Sequence, residues 1–170
     1  MPIQSSDMPA IEEIKQLKAR YFRFLDTKQW TNLRGLFTDD AVFEGTFDPF
    51  KGPDDFIAGV SKFNQNTVTV HHGHMPEIRI TSPTTARAIW ALADFIEIKA
   101  AEGQPPGAQQ RGFTGFGHYQ EKYRKEGDTW KIAFMRLTRI RVDPLLGEGK
   151  VPELNPRQLR SVADNFLEEG

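Results

Sequence analysis

The hydrophobic period of the chain changes once, near Asn66, and that single change restricts the fold more than any other feature. Before it, Ile11, Ile14, Leu17, Tyr21, Phe24 and Leu25 recur at threes and fours, the spacing that lines one face of an α-helix. Ser5, Ser6 and Asp7 offer capping oxygens and Pro9 suits a first turn, so a helix is expected over residues 8–26. Trp30, Leu33 and Phe37 repeat the spacing and predict a second helix over 29–37, followed by a brief strand over 41–44. Gly52-Pro53-Asp54-Asp55 announces a third over 53–64, with Phe56, Ile57, Val60 and Phe63 as its buried stripe.

After Asn66 the period is two, in stretches over 67–80, 84–98, 113–124 and 129–142 rich in β-branched and aromatic residues. Ser82-Pro83-Thr84 and Lys125-Glu126-Gly127-Asp128 read as turns, the second joining antiparallel neighbours. Helices ahead of a mainly antiparallel sheet make an α+β fold rather than a doubly wound one. Residues 99–112, with Gly103, Pro105, Pro106 and Gly107, are too polar to pack and read as an exposed loop. Beyond Pro144 a Gly/Pro-rich tail leads to a short terminal helix from Asn155-Pro156, with Leu159, Val162, Ala163 and Phe166 on one face.

The 170 residues suit one domain. With 22 Lys and Arg against 23 Asp and Glu, the net charge of −1 provides no field to draw in nucleic acid or an anionic membrane. The absence of cysteine removes disulfides, thiolate nucleophiles and cysteine zinc sites together. No apolar run approaches a membrane span and the first residues lack a leader's basic start, so a cytoplasmic protein is expected. No Gly-rich phosphate motif accompanies the strands, and no cofactor is expected.

Polar residues on apolar faces mark candidate chemistry. One parity of the 84–98 strand reads Ala86, Ala88, Trp90, Leu92, Asp94, Ile96, Ile98, so a lone carboxylate interrupts an apolar row. In the last strand Ala133, Met135, Leu137 and Arg139 share one parity, and Asp94 and Arg139 either pair structurally or face a cavity. The other parity, Trp130, Ile132, Phe134 and Ile140, is also apolar, which predicts a second copy of the chain over the outer face. Asp26 reads either as the cap of the second helix or as an inward group, and Tyr21 either as a core aromatic with a surface hydroxyl or as a donor. His71-His72-Gly73-His74 holds three of the four histidines; strand alternation separates them, which favours acid–base work over a metal site.

Three stretches, residues 11–26 with Trp30, His71-His72-Gly73-His74-Met75-Pro76-Glu77-Ile78, and residues 119–139 around Trp130, resemble the SnoaL-like branch of the nuclear transport factor 2-like superfamily. Within it the chain looks most like the bile acid 7α-dehydratases, and less like scytalone dehydratase and hexachlorocyclohexane dehydrochlorinase. The resemblance implies a cone of three helices against a curved sheet over residues 1–143, with 144–170 as a tail. It implies catalytic positions at Tyr21, Asp26, His71, Asp94 and Arg139, with His71 as base and Asp26 orienting it. It implies a cofactor-independent dehydratase-type lyase for a hydrophobic cyclic hydroxy-ketone, or an isomerase or cyclase of the same fold, or a non-catalytic carrier of hydrophobic ligands. It also favours a trimer among homo-oligomers.

Overall fold

The computed structural model describes residues 4–45, 50–98 and 111–145. The predicted loop over 99–112 falls almost wholly, and the predicted terminal helix entirely, outside the described residues. Three helices, α1 (Met8–Asp26), α2 (Trp30–Arg34) and α3 (Pro53–Phe63), lie against strands β1 (Phe37–Gly45), β2 (Thr67–Gly73), β3 (Glu77–Ser82), β4 (Thr85–Ile98), β5 (Gly112–Glu126) and β6 (Thr129–Pro144). The strands form one curved, unclosed sheet in the order β1-β6-β5-β4-β2, with β3 also on β4. Every pairing is antiparallel except β1 with β6. The fold is α+β, as the change of period requires.

The α1 stripe is buried at Ile11, Ile14, Leu17, Tyr21, Phe22 and Leu25, and it carries Lys18 inside with it. Helix α2 stops three residues short of the predicted end. Phe37 opens β1 instead, where the amide of Ile132 donates to the carbonyl of Leu36 at 2.9 Å and draws the chain into the sheet. The 67–80 stretch is two strands, because Pro76 cannot donate to a ladder and the chain leaves the sheet at His74–Pro76. Both halves pair with β4, β2 against residues 92–98 and β3 against 85–89. The last hairpin closes through Gly127 and Asp128, with Gly127 at φ 59°.

The parity reading of β6 needs a correction. Ile132 pairs with Tyr123 and Phe134 with Lys122, so Ala133 is an extra residue, a β-bulge. The bulge reverses the alternation, and Trp130 and Ile132 point into the same core as Met135 and Leu137. Of the four side chains predicted outside, Phe134 and Ile140 remain there, Phe134 beneath Lys122 and Arg136 with cations 4.8 and 5.4 Å from its ring. The sheet is therefore not apolar on both faces along β6, and the argument for a covering copy loses Trp130 and Ile132.

Candidate active site

Five strands, α1 and α3 converge on a cavity of about 200 Å³ lined mainly by Leu25, Phe43, Phe50, Phe56, Val60, Ile96, Met135 and Leu137. Phe43 and Phe56 stack with centroids 4.2 Å apart and Phe50 meets Phe56 edge-on, so one wall is a packed aromatic cluster. The polar wall holds Tyr21, His71, Asp94, Tyr119 and Arg139. Asp26 stands behind His71 rather than in the lining.

Asp26 is the last residue of α1, and its carboxylate is spent on β2. Oδ2 accepts the His71 amide at 2.8 Å; Oδ1 accepts Thr69 Oγ1 at 2.8 Å and bonds His71 Nδ1 at 2.6 Å. The capping alternative is thereby excluded, since Gln29 caps α2 without a side-chain bond. A carboxylate acceptor at Nδ1 places the ring proton there and leaves Nε2 as the basic nitrogen on the cavity side. Phe22 lies nearly parallel to the imidazole, 13° between planes, and fixes its tilt. His72 and His74 are exposed while His71 is buried, the separation that strand alternation predicted. Among the described residues no three histidine, aspartate or glutamate side chains are grouped to hold a metal ion.

Asp94 on β4 and Arg139 on β6 form a bidentate pair, Nη1–Oδ1 2.8 Å and Nη2–Oδ2 2.6 Å. The pair crosses over β5, which lies between them, and Gly115 makes the crossing possible. A Cβ there would stand 2.3 Å from both Arg139 Nη1 and Asp94 Oδ1. A second extra residue, Ile140, lies just past Arg139, where Gly117 pairs with Arg139 and Phe116 with Arg141. Asp94 Oδ2 is also 4.0 Å from His71 Nε2, so base and ion pair adjoin.

Tyr21 is 2 % exposed with its hydroxyl in the cavity wall, not at the surface. Its ring meets that of Tyr119 edge-on with centroids 5.9 Å apart, and burial raises the pKa of both phenols well above the ordinary range. Under their rings lies a fully buried ion pair that sequence reasoning missed. Lys18 Nζ is 2.5 Å from Glu121 Oε1 and 4.1 and 3.6 Å from the ring centres of Tyr21 and Tyr119. Glu121 in turn binds the Tyr123 hydroxyl, which accepts Trp90 Nε1 at 2.9 Å. Burial pushes the Lys18 ammonium's pKa down, against the opposing pull of Glu121. The signal was present: Lys18 lies four residues after Ile14 and three before Tyr21, inside the apolar stripe, and Glu121 shares the inward parity of Tyr119 and Tyr123.

Several known proteins are similar to this chain in sequence or in structure. The "Probable cyclase FGR4" of Gibberella zeae is 27 % identical over 139 residues, covering 75 % of this chain and 89 % of that protein. A crystal structure of the hexachlorocyclohexane dehydrochlorinase LinA type 2 superposes with a TM-score of 0.71 at 18 % identity, covering 86 % of this chain and 97 % of that one. A protein of Novosphingobium aromaticivorans assigned as a scytalone dehydratase superposes with a TM-score of 0.71 at 15 % identity, covering 89 % and 99 %. Those two likenesses concern the fold. The SnoaL-like domain model matches residues 6–136, most of the length and the cavity's strands as far as the first half of β6, short of Leu137 and Arg139, and the chain belongs to that family.

Proposed function

We propose that the chain is a cofactor-independent lyase of dehydratase type, acting by general acid–base catalysis on a hydrophobic cyclic hydroxy-ketone. The observation that carries this reading is the His71–Asp26 pair, 2.6 Å from Nδ1 to Oδ1, with Nε2 turned to an apolar cavity. A carrier of hydrophobic ligands gains nothing from a buried base oriented by a carboxylate. In the proposed reaction Nε2 removes the proton beside the substrate carbonyl, and Asp26 stabilises the imidazolium that results. The phenolic wall donates a hydrogen bond to the developing enolate oxygen, and the imidazolium passes the proton it has taken to the departing hydroxyl, which leaves as water and returns His71 to its neutral form. Asp94 is committed to Arg139 through both oxygens, so the pair positions the substrate through the guanidinium's remaining donors rather than by transferring protons.

Ring closure or isomerisation uses the same base and donors, and the cyclase relative favours keeping that second reading beside the first. The test is incubation with a panel of 3-oxo hydroxysteroids and hydroxylated aromatic ketones, followed by ultraviolet absorbance. A newly conjugated enone with loss of water supports the lyase. Exchange of the α-proton with deuterated solvent and no loss of water supports the isomerase or cyclase. Saturable binding without either supports the carrier. Self-association belongs to the same reading, a trimer favoured, through Val70, Ile89 and Phe116, which remain partly exposed on the outer face. A monomer in sedimentation at micromolar concentration would remove it.

A further inference from the structure

Just past α1 a lysine stands where a glycine is usual. The amide of Gln29 donates to the carbonyl of Phe24 at 2.8 Å and that of Lys28 to the carbonyl of Leu25 at 3.3 Å, the bonding that closes a helix through one left-handed residue. That residue is Lys28, at φ 62°, the one non-glycine with a positive φ among the described residues. Glycine adopts this conformation freely, whereas a lysine there costs backbone energy, so the turn alone does not account for the side chain. Its ammonium reaches back to β2 and sits between two hydroxyls, 3.4 Å from Thr69 Oγ1 and 3.5 Å from Thr67 Oγ1.

We propose that Lys28 is a positioning residue for the His71–Asp26 pair and acts through Thr69, an inference that rests on the acid–base reading of that pair. Thr67, Thr69 and His71 share the inward parity of β2, and all three are buried. An ammonium can only donate, so each hydroxyl offers Lys28 a lone pair and keeps its single proton for another partner. Thr69 donates that proton to Asp26 Oδ1 at 2.8 Å, the same oxygen that bonds His71 Nδ1. Thr67 donates to Asn64 Oδ1 at 2.8 Å, and Asn64 lines the cavity. Each arm thus runs from one ammonium through one hydroxyl to an acceptor at the site. Accepting from a cation polarises a hydroxyl and strengthens its own donation. Asp26 is thereby held by three donors, Thr69 and the amide and ring of His71, in the orientation that keeps the ring proton on Nδ1 and leaves Nε2 to act as base. Without the ammonium, the Thr69 O–H can rotate away and the carboxylate keeps two donors.

The reporter is the Nδ1–H proton of His71 in the full chain labelled with ¹⁵N-histidine, since a ring proton held by a buried carboxylate resonates far downfield and exchanges slowly with water; His71→Ala assigns it. Lys28→Gly should speed that exchange about tenfold or more, the loss of one hydrogen bond to a charged group, while the urea midpoint stays near that of wild type because glycine suits the turn. Thr69→Val should give the same acceleration, and Lys28→Gly added to Thr69→Val no more than that. Lys28→Arg, which returns a cation on a long stem, should bring exchange back toward wild type. On an identified substrate, Lys28→Gly should lower kcat about tenfold with KM unchanged. Exchange unchanged in Lys28→Gly, or effects of Lys28→Gly and Thr69→Val that multiply, would overturn the proposal and leave the His71–Asp26 pair as described. If the wild type shows no downfield ring proton, the pair does not form, and the acid–base reading and this inference fall together. If His71→Ala keeps full turnover while Lys28→Gly still speeds exchange, the acid–base reading falls and the hold of Lys28 on the pair stands.

Discussion

At the scale of single residues, the site depends on a few contacts whose removal has separable effects. Asp26→Asn keeps the shape of the carboxylate but loses its charge, and its amide nitrogen cannot accept a hydrogen bond from the imidazole or the backbone. On an identified substrate, Asp26→Asn and His71→Ala are each expected to lower kcat about 10²-fold or more, with far-ultraviolet circular dichroism unchanged. Full activity in both would remove the base from the mechanism. Gly115→Ala acts elsewhere. Its methyl would occupy the path of the Arg139–Asp94 pair, so the pair must separate, leaving Asp94 buried with an incomplete shell. We expect a lowered midpoint of urea unfolding, by about 3 kcal/mol or more in stability, and loss of activity. A variant as stable as wild type would show that the ion pair is free to rearrange.

At the scale of elements, α1 is fastened to the sheet by a charge as well as by its apolar stripe. Lys18–Glu121 links α1 to β5, and the Tyr123 and Trp90 bonds extend the link to β4. Both charges are fully buried, so desolvation offsets much of their attraction, and breaking the pair costs more than forming it contributes. Lys18→Met leaves Glu121 uncompensated and should destabilise by about 3–5 kcal/mol in chemical denaturation. Lys18→Met combined with Glu121→Gln keeps volume, keeps an acceptor for Tyr123 and removes both charges, and should recover most of that loss. A double variant as unstable as the single one would place the effect in packing instead. In β6 the decisive element is smaller still. The extra residue at Ala133 turns Trp130 and Ile132 into the core, and without it two large apolar side chains would face water.

At the scale of the whole molecule, all the tyrosines lie in one buried network spanning α1, β4 and β5, and burial raises the pKa of each. A raised folded pKa contributes stability fully below the unfolded value near 10 and loses it as pH climbs toward the folded value. Above about pH 10 the unfolded chain therefore releases protons that the folded chain retains. Stability should fall by about 4 kcal/mol per pH unit for the three together. Lys18, whose folded pKa is lowered, adds stability as pH rises toward its ordinary value of 10.5 and so offsets part of the fall just above pH 10. The expected outcome is a single alkaline transition in which absorbance at 295 nm and far-ultraviolet circular dichroism change together. Tyrosine ionisation well ahead of unfolding would contradict the burial of this network. The described part of the chain has no helix long and apolar enough to cross a membrane.

Local period and turn chemistry settled the three helices, the order of helices before strands and the antiparallel hairpins, because those features depend on residues within a few positions of each other. Parity along β4 also marked Asp94 as a charge on an inward face, and Arg139 kept its parity with Met135 and Leu137 between the two bulges. Parity failed at Ala133, since a bulge is decided by the partner strand's register and not by the bulged strand's own residues. It was equally silent on Gly115 and on the partner of Lys18. Whether a missing side chain opens a path, and whether a buried ammonium meets a carboxylate 103 residues away, depend on which strands become neighbours. Sequence determined which residues are out of place among apolar neighbours. Only the tertiary structure decided what each of them meets, because the cost of burying a charge is offset by a partner that no local pattern encodes.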